Sequence, residues 1–302
     1  MHRFFNLTPR GNVSVAVGAV MVKVAPMSDW AESIGLIAGN RALPLEFAKL
    51  ARRAGISRIV AVAFEGETEP ALAELVDEIV WLKVGQLTKL IKAFSTRGIR
   101  RCVMLGQITP KTLFELRPDL RAMRLLLKLK ERNAHSIFGA VAAELAREGI
   151  ELIEATPWLK PVMPGAGFAL GPRLTPAQRA DVGFGFRIAK QLAGLDIGQT
   201  VVVKAGTVLA VEAFEGTDAC IARGGALAGG RGGAVVVKVA KRGHDMRFDI
   251  PCIGARTLET CAANRIGALA FEAEKTILLE QQDCARLADR YRIAVAAVAG
   301  AE

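Results

Sequence analysis

Residues 33–64 read SIGLIAGNRALPLEFAKLARRAGISRIVAVAF. Ile34–Ala38 is a short apolar run, interrupted by Gly39, Asn40 and Arg41. Leu43, Phe47, Leu50 and Ala54 then share one face at helical spacing, with Pro44 in the first turn and Gly55 at the end. Ile59–Phe64 is apolar again and reads as a strand. Strand, turn, helix and strand in that order predict parallel pairing through a right-handed crossover. The turn lies where a Rossmann fold would place its phosphate loop. It reads GNRALP, however, so the GxGxxG dinucleotide fingerprint is missing.

The same alternation continues. Ile79–Leu82 and Cys102–Leu105 read as strands, and Ala71–Asp77 and Leu87–Phe94 as helices. Helical patterns follow at Pro110–Leu116, Leu120–Arg132 and Ser136–Glu148, then a further strand over Ile150–Ile153. Ser136 is expected as an N-cap. His135 has no partner in the sequence; a surface role is the simpler reading and a substrate contact stays open. Gln107 ends a strand at the sheet edge where open parallel sheets bind ligands, as does the Gly39–Asn40 turn.

Residues 156–175, with Pro176 beside them, carry prolines too dense for a helix or central strand, and large apolar residues such as Trp158 and Phe168. The segment reads as an ordered connector rather than a flexible linker. A second α/β unit follows. Thr175 and Pro176 open a helix to Leu192, and Val201–Val203 and Val208–Val211 form a hairpin turning at Ala205-Gly206. A helix begins at Asp218, and Val235–Val239 is a strand. Phe248–Ile253 is extended around Pro251, and Leu258–Asn264 is helical. Ala268–Phe271 and Thr276–Leu279 are read as strands joined at Glu274-Lys275, Gln281–Tyr291 as a helix and Ile293–Val298 as a last strand. The fold class is therefore α/β, in two α/β domains. The first, 33–155, is Rossmann-like with a mainly parallel sheet; the connector is 156–175 and the second domain 176–302. Residues 1–32 read as a leader, disordered or produced by a start placed too early, since Met21 and Met27 are alternative starts.

Composition narrows the partners. Of 302 residues 51% are hydrophobic and 23% charged, which excludes general disorder. The net charge is +10, of which Arg3, Arg10 and Lys23 supply three, so the body keeps +7. A positive body suits phosphate-bearing ligands, nucleic acid or an anionic membrane. Tyr291 is the only tyrosine and aromatics do not interleave with basic residues, so a base-stacking platform is poorly supported. Five cysteines without CxxC spacing argue against a disulfide framework or a zinc site, and fit reduced core thiols in cytosol. No run approaches the ~20 apolar residues of a membrane span.

Two polar clusters carry the chemistry. Glu215-Gly216-Thr217-Asp218 joins a strand to a helix. Thr217 or Asp218 would serve as an N-cap, and the same oxygens suit a hard cation or a hydroxyl-rich ligand. In the second cluster, His244–Asp249, an extended backbone puts Asp245, Arg247 and Asp249 on one face. That row reads equally as ion pairs or as a carboxylate for metal or water beside an arginine for phosphate. Lys204 and Lys238, near the ends of neighbouring strands, would add positive charge. The tract Gly224–Gly233 is no Walker A loop; it is expected to be a flexible turn, or amides approaching a phosphate.

At these residues the chain resembles a known family. EGTD after the hairpin, VVKVAK, the D-M-R-F-D-x-P-x-x-G run and the N-terminal IGLIAGN with its LP helix resemble the UDP-2,3-diacylglucosamine pyrophosphatases of the LpxI type. The resemblance spans about residues 33–298. It implies Mg²⁺-dependent hydrolysis of the pyrophosphate of UDP-2,3-diacylglucosamine, giving UMP and 2,3-diacylglucosamine 1-phosphate in lipid A synthesis. It implies Asp245 as the key acid, with Arg247 and Asp249 in support and Asp245 and Asp218 toward the metal. Gly39, Asn40, Gln107, Lys204, Glu215, Thr217 and Lys238 are expected at the substrate, held between the domains. The expected partner is a lipid-linked nucleotide sugar, not nucleic acid. The expected place is the cytoplasm, with transient contact at the inner-membrane surface, and a homodimer stays open. Asn133-Ala134-His135 departs from the acidic residues many members carry there. A non-catalytic nucleotide-sugar or acyl-lipid binding relative is the alternative, and a nucleotide-dependent oxidoreductase a more distant one.

Overall fold

The computed structural model describes residues 33–109, 118–129, 134–241, 243, 245–247 and 250–300. The expected leader and the helix at Pro110–Leu116 lie outside these residues. The opening strand, β1 (Ser33–Ala38), is buried from Ile34 onward. Helix α1 (Leu43–Arg53) follows and returns the chain to β2 (Arg58–Phe64), which pairs parallel to β1. Pro44 sits in the first turn of α1, where its missing N–H costs nothing, and Phe47, Ala48 and Ala51 are fully buried. Residues expected as a short helix at Ala71–Asp77 form a 3₁₀ turn, Pro70–Glu74.

β3 (Glu78–Leu82), α2 (Leu87–Ser95), β4 (Arg101–Leu105), α3 (Leu120–Lys128), α4 (Ala134–Arg147) and β5 (Glu151–Leu152) complete the first unit. Its five strands are all parallel in the order β3-β2-β1-β4-β5. The order reverses between β1 and β4, so the crevice for a ligand opens at the carboxyl ends of those two strands. α4 begins at Ala134, which puts Ser136 inside its first turn rather than at the cap. Asp119 caps α3, accepting from the Ala122 N–H, as a short carboxylate at an N-cap does.

The connector is ordered by packing. It forms a short helix α5 (Thr156–Leu159), a 3₁₀ turn and an edge strand β6 (Ala169–Leu170). Trp158 meets Phe47 edge-on, ring centroids 5.7 Å apart at 82°, so Trp158 and Leu159 belong to the first unit's core, while Phe168 and Leu170 pack on the second unit's.

The second unit runs α6 (Pro176–Gly194), β7 (Thr200–Lys204), β8 (Thr207–Val211), α7 (Thr217–Leu227), β9 (Val235–Lys238), β10 (Cys252–Ile253), α8 (Ala255–Ala263), β11 (Ala268–Glu272), β12 (Ile277–Leu278), α9 (Gln281–Tyr291) and β13 (Ala294–Val298). Thr175 and Gln178 form a reciprocal capping box at the start of α6. The six-stranded sheet has the order β6-β13-β11-β9-β7-β8. β9, β11 and β13 are parallel; the β7–β8 hairpin and β6 add antiparallel edges.

The strands expected on either side of Glu274-Lys275 are present as β11 and β12, but β12 leaves the sheet and pairs parallel with β10. Ile277 and Leu279 are thereby buried in the cluster that holds Leu43, Phe47 and Trp158, which ties the two units together. The glycine tract is also no loop at its start. Gly224 and Gly225 are helical in α7, and a Cβ on Gly224 would stand 2.5 Å from the Val202 Cβ. These glycines let α7 lie close on β7; only Gly229, at φ +78°, serves to end the helix.

Candidate active site

At the carboxyl end of the first sheet, two loops touch backbone to backbone. Gly39 N–H donates to Leu105 O at 2.8 Å and Asn40 N–H to Gln107 O at 2.7 Å. A Cβ on Gly39 would fall 2.4 Å from Gln107 O, and Gly106 takes φ +89° to complete the approach. Both glycines are required by that contact. The junction aims Asn40 at a pair of residues that sequence reading had missed. Asn40 Nδ2 donates to Glu67 Oε2 at 2.8 Å and to Thr109 Oγ1 at 3.2 Å. The buried Glu67 also accepts from Thr109 N–H at 3.0 Å and Thr109 Oγ1–H at 2.9 Å. Glu67 lies in the loop after β2, and that position at the ligand edge was the one available signal.

The second unit presents its own carboxyl edge. Gly216 is the N-cap of α7, at φ +83°, so neither Thr217 nor Asp218 plays the expected capping role. Instead Thr217 Oγ1 accepts from Lys238 Nζ at 2.7 Å and donates to Glu212 Oε1 at 2.8 Å. Lys238, the last residue of β9, is buried. Asp218 binds across the units: Arg41, held at φ +68°, reaches its Oδ2 at 3.9 Å, and Arg256 Nε comes to 3.0 Å without hydrogen-bond alignment. Oδ2 is buried and accepts no hydrogen bond. Arg41 and Arg256, neither singled out from the sequence, are therefore the cations around Asp218. Glu215 pairs with Arg223, and a bond from its own backbone N–H holds its carboxyl below the usual range, the Arg223 pair adding to this.

Other expected residues lie elsewhere. Lys204 and Lys238 sit on antiparallel strands: Thr200 pairs with Lys238, and Val203 with Val235. Lys204 is thus beyond the opposite end of β9, where Nζ donates to Ala228 O at 2.6 Å. Arg247 grips both oxygens of Asp245, Nε to Oδ1 at 2.8 Å and Nη2 to Oδ2 at 2.6 Å. Arg247 lines an open groove of about 600 Å³ with Arg100, Arg101 and Glu151 beside β5, which lies two strands from β1. That groove holds neither Asn40 nor Asp218, so hydrogen-bond geometry rather than volume marks the candidate site. His244 and Asp249 lie outside the described residues. Burial pushes the thiols of Cys102, Cys220, Cys252 and Cys284 up to about 12, which suits core residues and not nucleophiles.

The order of the two units matches one family in series. Its model for the LpxI N-terminal domain fits residues 33–162, and its model for the LpxI C-terminal domain fits residues 165–296. The chain belongs to the LpxI family. A relative from Caulobacter vibrioides, named UDP-2,3-diacylglucosamine pyrophosphatase LpxI, is 29% identical over 265 residues, covering 85% of this chain and 94% of that one. Among solved structures, the biotin carboxylase domain of Hydrogenobacter thermophilus 2-oxoglutarate carboxylase is similar at a TM-score of 0.24 and 13% identity, over 65% of this chain and 41% of that one. A likeness that slight bears on nothing here. The LpxI boundary falls inside the connector, after the 3₁₀ turn at Lys160–Val162 and before β6.

For an LpxI chain the question of a metal turns on the carboxylates. Among the described residues no three Asp, Glu, His or Cys side chains gather as a cage. Mg²⁺ needs no such cage, since one or two carboxylates with substrate phosphates suffice. Asp218 fits that demand in having a buried oxygen that accepts no hydrogen bond, although Arg256 and Arg41 would have to yield it to the ion. Both oxygens of Asp245 are already taken by Arg247.

Proposed function

We propose that this LpxI chain hydrolyses the pyrophosphate bond of UDP-2,3-diacylglucosamine, releasing UMP and 2,3-diacylglucosamine 1-phosphate. One observation carries the reading: the chain matches, over 85% of its length, a relative named for that pyrophosphatase activity. The cationic surroundings of Asp218 support it, because a diphosphate brings negative charge that Arg41, Arg256 and Lys238 would offset.

In this reading the diphosphate lies between the two carboxyl edges, near the N-terminus of α7, a helix end that favours anions. Asn40, Gln107 and the Gly39 turn border the substrate on one side, and Glu215, Thr217 and Lys238 on the other. Thr217 and Lys238 fix each other, so the ammonium is held in place. Asp245 takes the proton of the attacking water, assisted by Asp249, and Arg247 turns from Asp245 to a phosphate oxygen when the diphosphate arrives. Water oxygen forms a bond to phosphorus as the bridging P–O bond breaks. Asp218, with Asp245 once Arg247 has left it, would hold Mg²⁺, which would neutralise charge on the phosphates.

The test is incubation with UDP-2,3-diacylglucosamine in oxygen-18 water, with and without Mg²⁺, followed by mass spectrometry. UMP and the sugar 1-phosphate, one of them labelled, are expected from the wild type, and none from Asp245→Ala. No UMP with any divalent cation would overturn the activity. Near-normal release from Asp245→Ala would overturn the role of that residue alone.

A further inference from the structure

Helix α3 has two apolar faces. Ala122 and Leu125 are buried in the core on one side of the first sheet. Leu120, Met123 and Leu127, spaced by three and four, form a second stripe and are 63%, 46% and 71% exposed. Three long apolar side chains in water on one short helix mark a contact surface rather than scattered exposure. Helical geometry sets Arg121, Arg124 and Lys128 between the two faces, along one flank of the stripe. A groove of about 530 Å³ between α3 and α4 adjoins that flank, lined by these three cations with Arg147, Glu144 and Glu148. The two glutamates are already answered: Arg121 bonds Glu144 at 2.7 Å and Glu148 at 2.9 Å, and Arg147 pairs with Glu144. Arg124 and Lys128 are therefore in excess, and the groove is net positive.

We propose that this face of α3 docks on an anionic lipid bilayer. Leu120, Met123 and Leu127 enter the acyl boundary, and Arg124 and Lys128 meet lipid phosphates. The charge pattern selects the occupant. A second copy of the chain laid antiparallel on the same stripe would bring Arg124 and Lys128 against their own counterparts, like charge on like, and one laid parallel would leave both cations without an acidic partner. A bilayer with acidic headgroups answers both the stripe and its flank, as for other helices that lie in the interface plane. No helix among the described residues is long and apolar enough to cross a membrane, so α3 would bind at the surface. The inference stands apart from the reaction proposed above, because it rests on α3 and α4 alone.

Flotation of the full chain with vesicles tests it, using phosphatidylcholine alone and phosphatidylcholine mixed with phosphatidylglycerol. The wild type is expected to float with the mixed vesicles and not the neutral ones, and to be released by high salt. Leu120→Ser with Leu127→Ser should lower partitioning by on the order of a hundredfold. Arg124→Gln with Lys128→Gln should lower it by roughly twentyfold. These side chains are exposed, so a thermal melt should show both pairs folded. Lys49→Gln with Arg53→Gln, exposed on α1, should float as the wild type does. The proposal fails if the wild type does not float, if the α1 pair loses as much as the α3 pairs, or if the leucine pair floats normally. It also fails if light scattering finds a wild-type dimer that the leucine pair dissolves, which would assign the stripe to a second copy.

Discussion

Lys190 and Glu272 hold the peptide of Ala240 from both sides. Lys190 Nζ donates to Ala240 O at 2.6 Å, and Ala240 N–H donates to Glu272 Oε2 at 2.9 Å. The two side chains also pair with each other at 3.0 Å, and Lys275 adds a third contact to Glu272. Ala240 follows β9 and opens the segment that carries Asp245 and Arg247. A buried ion pair thus anchors one end of that segment, deep enough that the anchor's protonation state matters to folding.

Burial alone would push the Glu272 carboxyl up, but the bonds from Lys190, Lys275 and Ala240 N–H outweigh it and hold it below its usual value of 4.5. A depressed carboxyl stabilises the fold above its unfolded value, and that stabilisation is lost as pH falls through the folded one. Wild-type stability should therefore drop below about pH 4.5. Lys190→Met removes the main partner and should cost about 2–4 kcal/mol at neutral pH, with a flatter acid limb. Urea titrations at several pH values read both effects. An unchanged acid limb in Lys190→Met would show that Glu272 is not the group responsible.

The Gly39–Gln107 junction makes a steric prediction. Gly39→Ala places a methyl 2.4 Å from a carbonyl oxygen that is fixed by the Asn40 hydrogen bond, so backbone rather than a flexible side chain must move. The expected cost is about 2–3 kcal/mol in a denaturant titration. Because Asn40, Glu67 and Thr109 depend on the same junction, KM for the proposed substrate should rise beyond what the stability loss explains. A variant of normal stability and normal KM would mean the two loops can part without consequence.

Lys238 separates folding from turnover. It is buried and its ammonium is fixed on Thr217, an arrangement suited to offsetting phosphate charge more than to stabilising the sheet. Lys238→Met should leave unfolding free energy within about 1 kcal/mol of wild type, since burying a methionine removes a desolvated charge. UMP release should fall by roughly tenfold to a hundredfold. Equal losses in stability and activity would make Lys238 a structural residue.

Much of the fold was legible because the information is local. The strand–turn–helix alternation from Ser33 to Leu105 and the Thr175–Pro176 helix start follow from periodicity and capping, which neighbours in sequence decide. Glu67, Arg41, Arg256 and Glu272 were not legible, because each acquires meaning from a partner far along the chain: Asn40 for Glu67, Asp218 for the two arginines, Ala240 for Glu272. Gly224 and Gly225 misled for the same reason. Two glycines in a row read as a turn, and only the nearness of Val202 and Asn264 shows that helix packing needs them. The strands on either side of Glu274-Lys275 were legible, but the partner of the second was not, because burial of Ile277 and Leu279 against the other unit is a long-range effect.

Lys204 and Lys238 looked equivalent in the sequence, each at the end of a valine-rich strand. Antiparallel pairing of β7 with β9 sends them to opposite edges. Lys204 Nζ bonds Ala228 O, the carbonyl at the C-cap of α7, where a cation also faces the negative end of the helix dipole. Lys204→Met should therefore cost about 1–2 kcal/mol of stability, with kcat and KM for the proposed substrate unchanged at a temperature where the variant is folded. Lys204→Arg, which can still reach a carbonyl, should recover part of that loss. The pairing of measurements matters more than either alone. A fall in kcat for Lys204→Met without loss of stability would place this lysine at the substrate after all, and with it the edge of the sheet where the chemistry is done.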